Sequence, residues 1–277
     1  MVAAVGSFLQ ARSQGGEWLV RIEDIDPPRE TPGASSAILR TLERFGLCWD
    51  GGILYQSQRS AAYLEALDQL RREGLLYFCN CSRSELAASC RSGRYGPIYH
   101  GHCRPSRAHT GALRVMTDNK EIAFDDGVRG PFKQRIESEI GDFVIRRADG
   151  LFSYQLAVVV DDAAQGISEV VRGSDLLDNT PRQIYLQQRL GYPTPHYIHL
   201  PIALNPLGQK LSKQTGAAAI DTIAPTQLLL QVLEFLGQQP PADLIEATLE
   251  EMWDWAIAHW QLGTVPISAS RMPSAVS

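Results

Sequence analysis

The sequence predicts an α/β fold with an inserted lobe and a short helical tail. Three observations carry that reading. Compact apolar runs of strand length occur at 17–22 (EWLVRI), 169–172 (EVVR) and 197–204, and each runs into a polar loop. Helix-patterned segments with recognisable stops lie between them. The chain has 277 residues, enough for one large α/β domain plus an insertion, with 44% hydrophobic and 21% charged residues as in ordinary globular proteins.

Composition also excludes several classes. No run approaches ~18 uninterrupted apolar residues, so no transmembrane helix is expected. The N-terminus has no basic region ahead of its apolar part and makes a poor signal peptide, so a cytoplasmic protein without membrane contact is expected. A net charge of −5 does not advertise nucleic acid, so an RNA partner has to be met by a local basic surface. Five cysteines, an odd number, point to thiols or a metal and not to a disulfide framework.

In chain order, residues 2–14 read as an amphipathic helix stopped by Gly15-Gly16. Strand 17–22 runs straight into Glu23-Asp24-Ile25-Asp26-Pro27-Pro28, acids crowded where an α/β sheet usually meets its ligand. Helices follow at 31–45, opened by Thr-Pro, and 57–73, closed by Gly74. Cys48 between them reads as a small buried residue. Next come Cys79, Cys81 and Cys103 with His100 and His102. Thiolate and imidazole suit Zn²⁺, and small lobes often need a metal. The residues by themselves pick the three cysteines and His102; Cys90 falls outside the pattern.

Residues 112–132 read as short strands of a β-rich insertion, and 143–147 as another strand. Residues 151–160 (LFSYQLAVVV) are apolar without a clean period, hence buried, and Asp161-Asp162 ends the run. Arg172 closes strand 169–172, on the face of Glu23 if the strands are parallel, where a guanidinium can take a carboxylate bidentately. A helix from Thr180, as N-cap, to Leu190 follows, with Pro181 at its first position. Strand 197–204 then meets Asn205-Pro206-Leu207-Gly208 and delivers Lys210-Leu211-Ser212-Lys213-Gln214, a turn chemistry that suits a phosphate. Two helices, 225–236 and 243–259, complete the chain, with Trp253, Trp255 and Trp260 as packing residues.

RIEDIDPPRE, DFVIRRADGLFSYQLAVVVDD, EVVRGSDLLDNTPRQIYLQQRLG and HLPIALNPLGQKLSK occur in that order. Together they resemble the catalytic domain of the glutamyl-tRNA synthetases, with KLSKQ standing as their KMSKS loop. The short stretch after Gln214 and a C-x-C…Y-x₃-C insertion resemble the glutamyl-queuosine tRNA(Asp) synthetases within that class I family. The resemblance implies a Rossmann-type parallel sheet over 1–75 and 136–222, a zinc-binding insertion over 76–135 and a helical segment over 223–277. It implies glutamate binding by Glu23, Tyr154 and Arg172, and ATP with Mg²⁺ bound at Lys213, with Lys210, Leu211, Ser212 and Gln214 in the loop. It implies structural Zn²⁺ on Cys79, Cys81, Cys103 and, in place of His102, Tyr99. The implied activity is ATP-dependent formation of glutamyl-adenylate and transfer to queuosine in the tRNA(Asp) anticodon, by a monomer. A catalytically inactive glutamate- or RNA-binding relative, or a fragment of an ordinary glutamyl-tRNA synthetase, are the alternatives.

The family opens with a strand bearing a Phe-Ala-Pro-Ser-Pro-type segment and a His-x-Gly motif, and this sequence contains neither. A misassigned start or a fragment is the expected reason. The 277-residue chain is accordingly expected to turn over poorly or not at all.

Overall fold

The computed structural model describes residues 1–94, 96–106, 108–205, 207–211 and 222–272. Helix α1 (Val2–Ser13) buries Val5, Phe8 and Leu9, one face at helical spacing. Strand β1 (Arg21–Ile22) pairs in parallel with β2 (Leu54–Tyr55), and α2 (Ala34–Arg44) and α3 (Ser60–Arg72) flank β2 in sequence. Strand β3 (Leu76–Cys79), helix α4 (Arg83–Ser89), the hairpin β4 (Arg91–Gly93) and β5 (Gly96–Ile98), and β6 (Ala112–Val115) build the cysteine lobe and its base. The chain continues through β7 (Glu121–Asp126), β8 (Gly130–Arg135), α5 (Ile136–Glu139) and β9 (Phe143–Arg146). Then come α6 (Tyr154–Ala164), β10 (Glu169–Gly173), α7 (Thr180–Leu190), β11 (His196–Leu200), β12 (Ile202–Ala203), α8 (Pro225–Phe235), α9 (Leu249–His259) and β13 (Ser270–Arg271).

Among the described residues, a four-stranded sheet in the order β10-β11-β7-β8 carries the parallel pair β10–β11, and an antiparallel sheet runs β3-β6-β9. One core gathers α1, α8 and α9 around Phe8, Leu200, Leu233 and Met252; a second gathers α3, α6 and α7 around Tyr63, Leu156 and Tyr185. No helix of the described residues is long and apolar enough to cross a membrane.

Several expectations need correction. The strand over 17–22 shrinks to two ladder residues, though Trp18 and Val20 still accept backbone hydrogen bonds from Asp50 and Leu54. Its other edge faces no strand among the described residues. A cavity of about 560 Å³ opens there, lined by Trp18 and Arg21 on one side and Val170 and Val171 of β10 on the other. Residues 156–160 are buried as expected and 151–155 half-buried, but 154 onward form helix α6. Asp161 and Asp162 do not end the run; they continue the helix, Asp162 paired with Arg21 and Asp161 with Arg59. Thr180 is the first residue of α7, after Asn179, because its hydroxyl is engaged by Arg172. Cys48 is exposed. Residues 243–259 divide into a 3₁₀ turn (Ala242–Glu246) and α9, which is N-capped by Thr248 in a capping box with Glu251. Trp253 does pack, donating to the Phe45 carbonyl at 2.9 Å.

Candidate active site and cysteine centre

The carboxyl ends of β1 and β10 bring the first set of residues together. Arg172, 8% exposed, is a hub. Its Nη1 donates to the Tyr154 hydroxyl at 3.3 Å, its Nη2 to Thr180 Oγ1 at 2.8 Å and the Leu176 carbonyl at 3.5 Å, and its Nε to His199 Nε2 at 3.0 Å. A guanidinium has five N–H groups, and these contacts commit its Nε edge to the protein. With both N–H groups of Nη2 engaged as well, a ligand carboxylate can meet Arg172 only at Nη1, shared with Tyr154, a narrower approach than the bidentate grip expected from sequence.

Glu23 lies across the site, its side chain 44% exposed and its Oε1 4.0 Å from Arg21 Nη2. Burial pushes its carboxyl above the ordinary range, Arg21 pulls back, and the nearby Asp162 carboxylate pushes further up. Asp162 is raised for the same first cause, even though Arg21 donates to it at 2.7 Å. Burial also raises the Tyr154 hydroxyl, against the field of Arg172. The site thus holds two carboxyls whose charge is under-compensated by the protein, beside a buried cation: the arrangement expected of a receptor for a zwitterion.

Asp161, next in line on α6, contrasts with them. Its side chain is fully buried and accepts from Tyr63 Oη at 2.6 Å, Gln56 Nε2 at 2.9 Å and Arg59 Nε at 3.0 Å, a closed structural network.

The lysine loop is organised by Asn205, the first residue of the turn expected from the sequence. Asn205 Oδ1 accepts from the amides of Leu207 and Gln209 at 3.0 and 2.9 Å, an Asx-type closure, and Gly208 takes φ +75°. Leu211 returns its amide to the Ala203 carbonyl. Lys210 is paired with Asp175 at 2.7 Å. Ser212, Lys213 and Gln214 lie outside the described residues.

The cysteine centre is a separate constellation. The sulfurs of Cys79, Cys81 and Cys103 lie within 4.8 Å of one another. Tyr99 Oη stands 3.5 Å from Cys79 Sγ and 3.7 Å from Cys81 Sγ, and accepts the Cys103 amide at 3.1 Å. His102 Nε2 approaches only Cys81 Sγ, at 3.2 Å, from the solvent side. Burial acts to raise the Cys79 thiol, but hydrogen bonds from Tyr99, the Cys81 backbone and Arg114 hold it down at about 7. Burial and the neighbouring sulfurs push Cys81 up to about 12. Three convergent sulfurs with a phenol oxygen fit a closed tetrahedral zinc site, in which ~2.3 Å zinc–sulfur bonds need sulfurs in mutual contact.

Behind the centre, Arg114 stacks over the Tyr99 ring at 4.1 Å and donates to the Asp142 carbonyl at 2.7 Å. The Asp142 carboxylate, fully buried, accepts from Tyr77 Oη (2.6 Å), Arg104 Nε and Nη2 (2.7 and 2.6 Å), and the amide and hydroxyl of Thr117 (2.8 and 3.0 Å). Its neighbour Gly141, at φ +75°, lets Tyr99 pass so closely that a Cβ there would meet the Tyr99 carbonyl oxygen at 2.2 Å. Neither Asp142 nor Arg104 was singled out from sequence, because nothing in local pattern marks a carboxylate whose partners lie 25 to 65 residues away.

Comparison with known proteins places this geometry. Residues 2–243 match the family described as tRNA synthetases class I (E and Q), catalytic domain. A protein of Dechloromonas aromatica (strain RCB) named Glutamyl-Q tRNA(Asp) synthetase is 54% identical over 271 residues, covering 96% of this chain and 90% of that protein. A protein of the same name from Chromobacterium violaceum is 49% identical over 273 residues, covering 98% and 91%. Among solved structures, a glutamate-tRNA synthetase from Elizabethkingia anophelis superposes with a TM-score of 0.80 at 24% identity, over 99% of this chain and 64% of that one. A glutamate tRNA ligase from Elizabethkingia meningosepticum, in complex with its amino acid, gives 0.79 at 24%, over 96% and 62%. These two show the fold, and this chain spans less than two thirds of their length.

Proposed function

The chain belongs to the class I tRNA synthetase catalytic-domain family for glutamate and glutamine, and from that premise we propose that it activates glutamate with ATP and transfers the glutamyl group to queuosine in the anticodon of tRNA(Asp). The observation that carries the reading is the buried Arg172 beside Tyr154, facing Glu23 across the site.

In the first half-reaction a glutamate carboxylate oxygen attacks the α-phosphorus of ATP, forming glutamyl-adenylate and releasing pyrophosphate. In the second, a hydroxyl of queuosine takes the glutamyl group and AMP leaves. The residues supply position and charge. Glu23 takes the α-ammonium, a cation that needs a paired anion once desolvated. Arg172 and the Tyr154 hydroxyl take a carboxylate. Lys213, with Lys210, Leu211, Ser212 and Gln214 in its loop, would hold the phosphates of ATP, which binds with Mg²⁺, and a cation there would lower the barrier as phosphate charge develops. A loop nucleotide as acceptor fits the way RNA is usually read, through unstacked single-stranded bases.

We also assign structural Zn²⁺ to Cys79, Cys81, Cys103 and Tyr99, since Tyr99 Oη meets two of the sulfurs while His102 meets one. When bound, zinc cross-links the lobe and leaves no open position for chemistry. Emission spectroscopy on the purified chain should find one zinc per chain, lost in Cys81→Ser and kept in His102→Ala; retention by Tyr99→Phe together with loss in His102→Ala would reverse the choice of fourth ligand.

The function is tested by the acceptor. Radiolabelled glutamate, ATP and the chain are incubated with tRNA(Asp) carrying queuosine, the same tRNA carrying guanosine in its place, and tRNA(Glu). Label on the queuosine-bearing tRNA alone is the expected result at any rate of turnover. Label at the 3′ end of tRNA(Glu), or equal label on the tRNA carrying guanosine, overturns the proposal.

A further inference from the structure

Behind Arg172 lies a buried relay that reaches into a distant part of the chain. The side chains of Asp126, at the end of β7, and His199, on β11, are both fully buried. Asp126 Oδ2 lies 2.5 Å from His199 Nδ1. The other oxygen is fixed by backbone: Oδ1 accepts the amides of Arg129 at 2.8 Å, Val128 at 3.1 Å and His199 at 3.2 Å. A carboxylate held on so many donors is an acceptor toward the imidazole, so His199 carries its proton on Nδ1. Nε2 is then left with a lone pair, and it faces Arg172 Nε at 3.0 Å and Thr180 Oγ1 at 3.3 Å. Arginine has no acceptor, so only the Nδ1–H tautomer satisfies both neighbours. Burial lowers the His199 pKa, the Asp126 bond works against this, and the cations Arg172 and Arg129 lower it further, all consistent with a neutral ring.

We propose that Asp126 and His199 are positioning residues for substrate: Asp126 fixes the tautomer of His199, and His199 fixes the guanidinium plane of Arg172 so that its Nη1 and the Tyr154 hydroxyl face the ligand carboxylate. The inference rests on the reading of Arg172 as that carboxylate's receptor. It assigns a role in ligand binding to Asp126, at the turn from β7 to β8. It also predicts a specific fault. An asparagine at 126 keeps an acceptor for the turn amides but turns an N–H toward His199. The ring must then move its proton to Nε2, where it opposes the Arg172 Nε–H.

Isothermal titration of the full chain with glutamate, ATP, norvaline and 4-aminobutyrate tests this, since each analogue keeps one of glutamate's two carboxylates. Asp126→Asn should weaken glutamate at least about tenfold, the equivalent of ~1.4 kcal/mol, and leave ATP within about twofold. The penalty should persist for one analogue and vanish for the other, which a general loosening of the fold would not produce. Two-bond ¹H–¹⁵N spectra should show His199 protonated on Nδ1 in the unsubstituted chain and on Nε2 in the variant. Should Asp126→Asn fail to fold, His199→Gln, which offers an amide in place of the ring, should show the same ligand-selective loss. Unchanged glutamate affinity in Asp126→Asn alongside a loss in Arg172→Ala overturns the relay alone. Unchanged affinity in both, or no glutamate binding by the unsubstituted chain, overturns the reading of Arg172 on which it rests.

Discussion

Two acidic sites in this chain are set in the same fold and held in opposite ways. Asp142, beneath the cysteine centre, meets five donors, and although burial acts to raise it, the Arg104 and Tyr77 hydrogen bonds hold its carboxyl below the ordinary range. Glu23 and Asp162, beside Arg172, are left above theirs by burial that Arg21 only partly offsets. A carboxylate whose demand for donors is met within the chain is a structural joint. One whose demand is unmet is a receptor awaiting a cation. The direction of the shift separates the two roles where burial alone does not.

The strongest test of the contrast is Asp142→Asn. It leaves Arg104 without its bidentate partner in a buried setting and turns a donor toward other donors. Breaking such a pair costs on the order of 3–5 kcal/mol, read as a lowered urea midpoint at pH 7. Because the Asp142 carboxylate holds Arg104, the neighbour of Cys103, zinc content should fall with it. An unchanged midpoint would remove the structural half of the comparison.

Glu23→Gln should do the reverse. Its carboxylate is partly exposed and only loosely paired, so the urea midpoint should hold or rise slightly, while glutamate binding weakens by about tenfold or more through loss of the ammonium's partner, ~1.4 kcal/mol per decade. Calorimetric titration with glutamate and with ATP reads the effect. Equal losses for both ligands would show a disturbed fold, not a lost receptor.

Much of this contrast was legible in advance, and the illegible part has a common cause. The strand ends at Glu23 and Arg172, the helix from 180 to 190 and the cysteine spacing are local patterns, and the structure keeps Tyr154 and Arg172 in contact and the three cysteines together. The helix at 154–164 was hidden because it is buried nearly all round, which erases the period that would reveal it. Arg104, Asp126, Asp142 and His199 were passed over because each acts through partners distant in sequence. His199 alone left a trace: in HYIHL it sits inside an apolar strand that is buried on both faces, and a buried histidine needs partners.

The smallest expected effect, and the finest discriminator, is the dependence of stability on pH. Asp142 and Asp126 are held low, so their contribution is complete above the unfolded carboxylate range of about 4 and disappears as pH falls through their folded values. Glu23 and Asp162 are raised, so the folded chain takes up their protons at a higher pH than the unfolded chain does. Stability therefore increases as pH falls through that upper window, before the loss from Asp142 and Asp126 sets in. His199, held low, opposes the rise below about 6.5, so the raw profile mixes signs. The difference between the unsubstituted chain and Glu23→Gln isolates one group. Urea midpoints from pH 7 to 3 should show the unsubstituted chain gaining on the variant as Glu23 protonates, and its glutamate affinity should decline over the same window as the ammonium loses its counter-charge. Superimposable profiles would mean that Glu23 titrates as an ordinary carboxyl, and the receptor would then have to be sought at Asp162 instead.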